Sequence, residues 1–112
     1  MNQSKSYPKV LSIAGSDSSG GAGIQADLKT FSALGVYGAT AITAITAQNT
    51  QGVNSQFALE PQMVYDQIAA VMDDIEPSVV KIGMLSNTAI VEVVAKALHD
   101  YRPSFIILDP VI

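Results

Sequence analysis

Short strand-like segments alternate with helix-like segments along most of this chain, and this alternation most limits how it can fold. The strand-like segments are rich in β-branched residues, and the segments between them repeat apolar residues with the period of a helix. Strands that alternate with helices in this way are joined by right-handed crossovers and form a mostly parallel sheet. The sequence therefore predicts a three-layer α/β domain with ligands at the carboxyl ends of its strands.

Local signals place the boundaries of these segments. Gly35 stands where a glycine ends the first helix, Pro61 suits the first turn of the second, and Asn87 can cap the third. Residues 51–59 read as a polar connection with some strand character at 56–58. The predicted strands cover residues 10–14, 40–47, 79–82 and 105–108.

Composition narrows the function classes. The 112 residues are 48% hydrophobic, enough for one domain with a real core. The net charge of −4 comes without a basic cluster, so we expect neither a nucleic-acid nor a membrane partner. The chain has no cysteine, and no apolar segment follows a basic start, so we expect a cytoplasmic protein.

A glycine-rich loop follows the first predicted strand and contains Gly15, Gly20, Gly21 and Gly23. Successive main-chain N–H groups and a helix N-terminus in such a loop can approach a ligand or an anion closely. A tight connection that needs positive φ angles is the alternative interpretation. Both remain open from the residues alone.

Two known nucleotide motifs fit this loop poorly. Residues 21–26 match a degenerate dinucleotide fingerprint, but Gln48 and Asn49 stand where that motif needs an acidic residue after the second strand. A Walker A loop is excluded, because no Gly-Lys-Ser/Thr sequence follows the glycines at the required spacing.

Three residues near strand and loop ends are candidate ligand contacts. Asp27, expected in the first turn of its helix, would either complement the helix dipole or accept hydrogen bonds from a ligand. Gln48 offers a donor and an acceptor, which would suit the edge of an aminopyrimidine; an ordinary loop amide is the alternative. Met84 would pack in the core or stack on an aromatic ring.

Three charged or titratable residues are weaker candidates. Asp109 follows the last predicted strand, where α/β enzymes place carboxylates that meet Mg²⁺ or phosphate; a turn-forming Asp-Pro is the alternative. Lys81 lies in a short apolar strand and is interpreted as an edge or snorkelling lysine. His99 has no evident partner and is interpreted as a surface residue.

The longest motif, SIAGSDSSGGAGIQADLKT at residues 12–30, strongly resembles the N-terminal signature of hydroxymethylpyrimidine/phosphomethylpyrimidine kinases of thiamine biosynthesis. The resemblance continues through residues 31–35, 43–50, 81–85 and 108–111, and so covers nearly the whole chain from Val10. It implies a ribokinase-like fold and an enzyme that uses ATP and Mg²⁺ to phosphorylate an aminopyrimidine alcohol and then its monophosphate.

The resemblance also implies roles for individual residues. Asp109 matches a carboxylate near the metal and phosphates, and we expect its contact with the metal to be indirect. Homodimers are common in the family. The positions matching the pyrimidine pocket are Gly15, Asp27, Gln48, Met84 and Val111.

The resemblance predicts that residues 1–112 are the N-terminal part of one ribokinase-like domain. The family's anion hole, catalytic base and most nucleotide contacts follow the position of Ile112, so we expect this chain to bind the pyrimidine at most. Two alternatives stay open: an enzyme acting on pyridoxal or pyridoxine, and a non-catalytic pyrimidine-binding module.

Overall fold

A computed structural model describes residues 8–109 of the chain. Strands and helices alternate, except where two strands follow each other directly. In chain order the elements are β1 (Lys9–Asp17), α1 (Gly23–Ala33), β2 (Tyr37–Asn49), β3 (Gly52–Ala58), α2 (Pro61–Asp74), β4 (Val79–Ile82), α3 (Thr88–Tyr101) and β5 (Phe105–Leu108).

The five strands form one sheet with the order β3-β2-β1-β4-β5. Parallel pairs join β1 to β2, β1 to β4 and β4 to β5, whereas β3 runs antiparallel to β2. Ser12 of β1 pairs with Thr40 of β2 on one side and with Lys81 of β4 on the other. The mostly parallel α/β sheet that the alternation predicted is therefore confirmed.

Successive residues of β1 point to opposite faces of the sheet, and the helices divide accordingly. Leu11 and Ile13 are fully buried in the core against α2 and α3. Ser12, between them, hydrogen-bonds to Asp27 of α1 on the other face. Helices thus cover both faces, which gives the three layers.

The α2 and α3 helices each bury one apolar face, because apolar residues spaced one helical turn apart lie on the same side of a helix. Val64, Ile68 and Met72 are the buried residues of α2. In α3 the cap is the predicted one, since the Asn87 side chain accepts a hydrogen bond from the main-chain N–H of Ile90 at 2.9 Å. The buried residues of α3 are Ile90, Val94 and Ala97.

Residues 51–59 were predicted to be a polar connection with strand character only at residues 56–58. In the structure most of this segment is the strand β3. Residues 52–57 are all exposed, so no alternation of buried and exposed side chains marks the strand. Main-chain pairing with β2, including Ile45 with Phe57, holds it in the sheet. Tertiary pairing therefore overrides the polar composition.

Beyond the end of β3, a helix side chain completes the hydrogen bonds of β2. Gln67 of α2 accepts from the main-chain N–H of Ile42 at 2.8 Å and donates to its carbonyl oxygen at 2.9 Å. The amide thus takes the place of a neighbouring strand.

No helix within residues 8–109 is long and apolar enough to cross a membrane.

Candidate functional site

A cavity of about 330 Å³ opens at the carboxyl ends of the parallel strands. This is the edge of the sheet where α/β proteins bind ligands. Apolar side chains, including Ala14, Ala44 and Val53, make part of its wall. The polar and charged lining residues are Ser16, Asp17, Thr46, Gln48, Gln56, Lys81, Ser86 and Asp109.

The glycine-rich loop is folded around the side-chain carboxylate of Asp17. Asp17, only 4% exposed, accepts hydrogen bonds from the Ser19 hydroxyl at 2.7 Å, from the Ser19 N–H at 2.9 Å and from the Gly21 N–H at 3.0 Å. These two N–H groups are therefore occupied by Asp17 rather than offered to a ligand. The hydrogen bonds from Ser19 lower the pKa of Asp17, although burial acts in the opposite direction.

Gln25 of α1 connects the end of β1 to the helix. Its amide oxygen accepts from the main-chain N–H of Asp17, and its amide nitrogen donates to the Ser16 hydroxyl, both at 2.8 Å. Gly15 and Gly23, which adjoin this connection, both line the cavity. The main chain of the loop therefore forms a fixed wall of the cavity.

Gln48 lies where predicted, near the end of β2 and in the cavity wall. Ser18 holds its main chain: the Ser18 hydroxyl donates to the Gln48 carbonyl at 2.6 Å and accepts from the Gln48 N–H at 2.8 Å. The Thr46 hydroxyl contacts the Gln48 side-chain amide at 3.1 Å and donates to the carbonyl oxygen of Ser16 at 2.7 Å. Both the main chain and the side chain of Gln48 are thereby positioned.

Asp27 is in the second turn of α1, so the prediction of a first-turn aspartate that complements the helix dipole was wrong. Its carboxylate accepts a hydrogen bond from Ser12 at 2.6 Å and forms an ion pair with Lys81 at 3.0 Å. The Asp27 side chain is 16% exposed and adjoins the cavity through Lys81 rather than lining it.

Lys81 is neither an edge nor a snorkelling lysine, which corrects the sequence interpretation. Its strand, β4, lies between β1 and β5, and its side chain is only 18% exposed. An ammonium group on an inner strand needs a partner, because burial penalises an unpaired charge. Asp27 is that partner, and Lys81 also lines the cavity.

Asp109 follows β5 and lines the cavity, with a side chain that is 58% exposed. Its carboxylate is 3.4 Å from the Lys81 ammonium. Within residues 8–109 no group of three or more acidic, histidine or cysteine side chains could hold a metal ion. A single exposed carboxylate fits Mg²⁺ held mainly by phosphate oxygens and water, with Asp109 as one further ligand, direct or through water.

Met84 and Gly15, two further predicted contacts, also line the cavity. Met84 is 53% exposed, so the interpretation of it as a core residue was wrong, and its main-chain oxygen accepts a hydrogen bond from the buried Thr43 at 3.2 Å. Val111 lies outside the described residues. His99 is exposed on α3, as expected.

Sequence reasoning missed the roles of Asp17, Thr46 and Lys81. Only Lys81 carried a signal, namely a charge in an otherwise apolar strand. Asp17 and Thr46 look like ordinary loop and strand residues until the end of β1 and the end of β2 are placed side by side.

Comparisons with known proteins match most of the chain. Residues 17–112 match the family model described as phosphomethylpyrimidine kinase. The chain is 55% identical over 102 residues to the hydroxymethylpyrimidine/phosphomethylpyrimidine kinase of Escherichia coli, covering 91% of this chain and 38% of the relative. It therefore spans well under half the length of that relative.

Solved structures show the same fold. Phosphomethylpyrimidine kinase from Clostridium difficile superposes with a TM-score of 0.91 at 54% identity, covering 94% of this chain and 46% of the other. The ADP complex of Bacillus subtilis pyridoxal kinase superposes with a TM-score of 0.87 at 42% identity, covering 95% of this chain and 42% of the other.

Proposed function

The chain belongs to the phosphomethylpyrimidine kinase family, and from this premise we propose that it supplies the pyrimidine-binding part of an ATP-dependent kinase of thiamine biosynthesis. The substrates would be 4-amino-5-hydroxymethyl-2-methylpyrimidine and its monophosphate. The observation that carries the proposal is one cavity, at the carboxyl ends of the strands, that brings Gly15, Gln48 and Met84 together.

The chemistry of the cavity suits a small ring with polar edges. Met84 and Ala44 offer apolar surface to the ring faces, since a thioether packs well on aromatic systems. Gln48 would pair with the edge that carries the amino group and a ring nitrogen, and Asp27 would accept from a donor on the ligand. We also propose Val111, beyond the described residues, as a pocket residue.

ATP and Mg²⁺ are the proposed cosubstrate and cofactor. The relative solved with ADP supports a nucleotide, and Asp109 at the cavity supports a metal held largely by phosphate. When bound, Mg²⁺ neutralises charge on the phosphates. The residues of this chain would hold the acceptor in place and exclude water from one side of it.

We propose that these residues are the N-terminal part of a longer ribokinase-like domain, cytoplasmic and homodimeric in its full form. The chain spans 38% of the E. coli relative, and the groups that stabilise the transferring phosphoryl would lie in the remainder. Because phosphoryl transfer depends on those groups, the 112-residue chain alone should bind pyrimidine but transfer phosphate slowly or not at all.

A pyridoxal or pyridoxine kinase is the second candidate, favoured by the 42% identity to pyridoxal kinase. Competition between the aminopyrimidine and pyridoxine for the cavity separates the two. A non-catalytic pyrimidine-binding module is the third, and phosphoryl transfer by the extended protein would contradict it.

Calorimetric titration of the 112-residue chain with 4-amino-5-hydroxymethyl-2-methylpyrimidine tests the proposal. The control is the double variant Asp27→Ala, Gln48→Ala, shown to be folded by circular dichroism. We expect saturable binding by the wild-type chain and its loss in the variant. Absence of binding by the folded wild-type chain would contradict a self-sufficient pocket, and repeating the titration on the extended protein would show whether the remainder completes it.

A further inference from the structure

We propose that Thr46 is a positioning residue that fixes the orientation of the Gln48 side-chain amide, so that the cavity distinguishes a 4-aminopyrimidine from its 4-oxo analogue. This inference rests on the proposed function, because it concerns how the cavity recognises the polar edge of a pyrimidine. Thr46 and Gln48 both line the cavity and are two residues apart on β2. Side chains two residues apart on a strand share one face of the sheet, so the hydroxyl lies beside the amide.

The Thr46 hydroxyl contacts two oxygen atoms but has one hydrogen to donate. Its Oγ1 is 2.7 Å from the main-chain oxygen of Ser16 on β1 and 3.1 Å from Oε1 of Gln48. Bonds between a hydroxyl and an oxygen span about 2.5–3.0 Å, and those between an N–H and an oxygen extend to about 3.2 Å. The hydrogen therefore belongs to the bond with Ser16, and the hydroxyl offers only lone pairs to Gln48.

A hydroxyl that offers lone pairs favours one of the two orientations of the amide. The oxygen and nitrogen of an amide have similar sizes, and a half-turn exchanges them, so hydrogen bonding decides which atom lies where. An amide oxygen against the lone pairs of Thr46 is repelled, whereas an N–H₂ group in the same place donates to them. The inference thus places Nε2 of Gln48, rather than Oε1, against the Thr46 hydroxyl.

The rest of the amide stays open to a ligand. Within residues 8–109, the contact with Thr46 is the one hydrogen bond of the Gln48 side chain. The amide nitrogen has two hydrogens, so one still lies beside the oxygen when the other is bonded to Thr46. Because Gln48 lines the cavity, it presents one donor and one acceptor there in a fixed order. Ser18 holds the main chain of Gln48 at 2.6 and 2.8 Å and keeps this edge in place.

The order of donor and acceptor matters because two related pyrimidines carry opposite edges. In 4-amino-5-hydroxymethyl-2-methylpyrimidine an amino donor adjoins a ring-nitrogen acceptor. In 5-hydroxymethyl-2-methylpyrimidin-4(3H)-one a carbonyl acceptor adjoins a ring N–H donor. A fixed amide satisfies only one of these edges and leaves polar groups unpaired on the other, whereas an amide that is free to turn satisfies either.

Calorimetric titration of both pyrimidines against the 112-residue wild-type chain, Thr46→Val and Thr46→Ser tests the inference. Valine keeps the shape of threonine without its hydroxyl, and serine keeps the hydroxyl. We expect the wild-type chain and Thr46→Ser to bind the amino ligand at least tenfold more tightly, and Thr46→Val to bring the two affinities within about threefold. The change in Thr46→Val should come from tighter binding of the oxo ligand. Damage to the cavity would weaken both ligands, so this gain separates positioning from support of the fold.

Thr40→Val is the matched control. Thr40 lies on the same strand and is partly buried, but it is not a lining residue of the cavity. The substitution should leave both affinities unchanged. If a folded Thr46→Val chain keeps the preference for the amino ligand, the role of Thr46 is refuted while the proposed function stands.

Hydrogen exchange in the ligand-free chain provides a test that does not depend on binding. The side-chain N–H₂ hydrogens of Gln48, followed by nuclear magnetic resonance, should exchange at least threefold faster in Thr46→Val than in the wild type, because their acceptor is lost. Equal rates would overturn the inference without affecting the proposed function. Faster exchange, together with binding of neither pyrimidine by the folded wild-type chain, would contradict the self-sufficient pocket while the positioning of Gln48 stands.

Discussion

Gly23 approaches Gly15 so closely that a β-carbon on Gly23 would overlap the carbonyl oxygen of Gly15. Gly23 also has a positive φ of 59°, a conformation that side chains with a β-carbon rarely adopt. The first residue of α1 therefore lies against the end of β1 only because it is glycine, and this contact shapes the loop wall of the cavity.

We expect Gly23→Ala to destabilise the chain by about 3 kcal/mol or more, because a left-handed backbone cost of about 1 kcal/mol adds to the overlap. Gly35→Ala is the matched control, since Gly35 has a φ of 72° but nothing within 4 Å of the added carbon. It should cost about 1 kcal/mol. If urea unfolding shows that the two variants lose equal unfolding free energy, the close approach of Gly23 to Gly15 is contradicted.

Gln67 is expected to stabilise the fold by pairing with the partly buried edge of β2 that β3 does not cover. Gln67→Ala leaves the N–H and the carbonyl of Ile42 without their partner and should cost about 1–3 kcal/mol of unfolding free energy. Gln62→Ala changes the same residue type in the same helix, where the amide contacts only exposed Asp66, and should cost under about 0.5 kcal/mol. If the two variants lose similar unfolding free energy in urea, the hydrogen bonds of Gln67 to Ile42 contribute nothing beyond the helix propensity of the residue.

The stability contributed by Asp17 should depend on pH. Hydrogen bonds from Ser19 hold its pKa below the ordinary value of 3.8, so the contribution is complete above that pH and disappears as the pH falls through the lower folded-state value. We expect Asp17→Asn to unfold at lower urea than the wild type at pH 7, and the gap to narrow below about pH 4.

Ser19→Ala is the partial control for Asp17, since it removes one donor and keeps the carboxylate. It should show a smaller gap that narrows over the same pH range. A gap for Asp17→Asn that is constant from pH 7 to pH 3 would argue against the folded carboxylate as its source.

Asn87 should stabilise α3 as its N-terminal cap. Asn87→Ala removes the acceptor for the Ile90 N–H and should cost about 1 kcal/mol, whereas Asn87→Ser keeps an acceptor and should cost a few tenths. Thermal unfolding of the three proteins provides the measurement. Equal destabilisation by Ala and Ser would indicate that packing, rather than capping, explains the effect.

The isolated 112-residue chain should self-associate through β5. This strand is last in the order of the sheet, and its four apolar side chains are 49–67% exposed. Unpaired strand edges with apolar side chains favour pairing with another chain. Sedimentation should show mass rising with concentration, and less so for the double variant Phe105→Lys, Ile107→Lys; a monomer at all concentrations would contradict this.

Local residue patterns were enough to predict most elements of the fold. The helix caps and stops at Gly35, Pro61 and Asn87 act within a few residues, and the period of apolar residues depends only on which face of a strand or helix is buried. The strand β3 escaped prediction because its side chains are exposed on both faces and only pairing with β2 makes it a strand.

The alternation of strands and helices, the glycine loop after β1, and a resemblance that singled out Gly15, Gln48 and Met84 can all be read from the residues alone. That Asp17 occupies the loop's own N–H groups and that Lys81 is paired with Asp27 became visible only in the folded chain. The ion pair joins residues that are far apart along the chain: the order of the strands places β1 beside β4, so charges 54 residues apart become neighbours where little solvent reaches them.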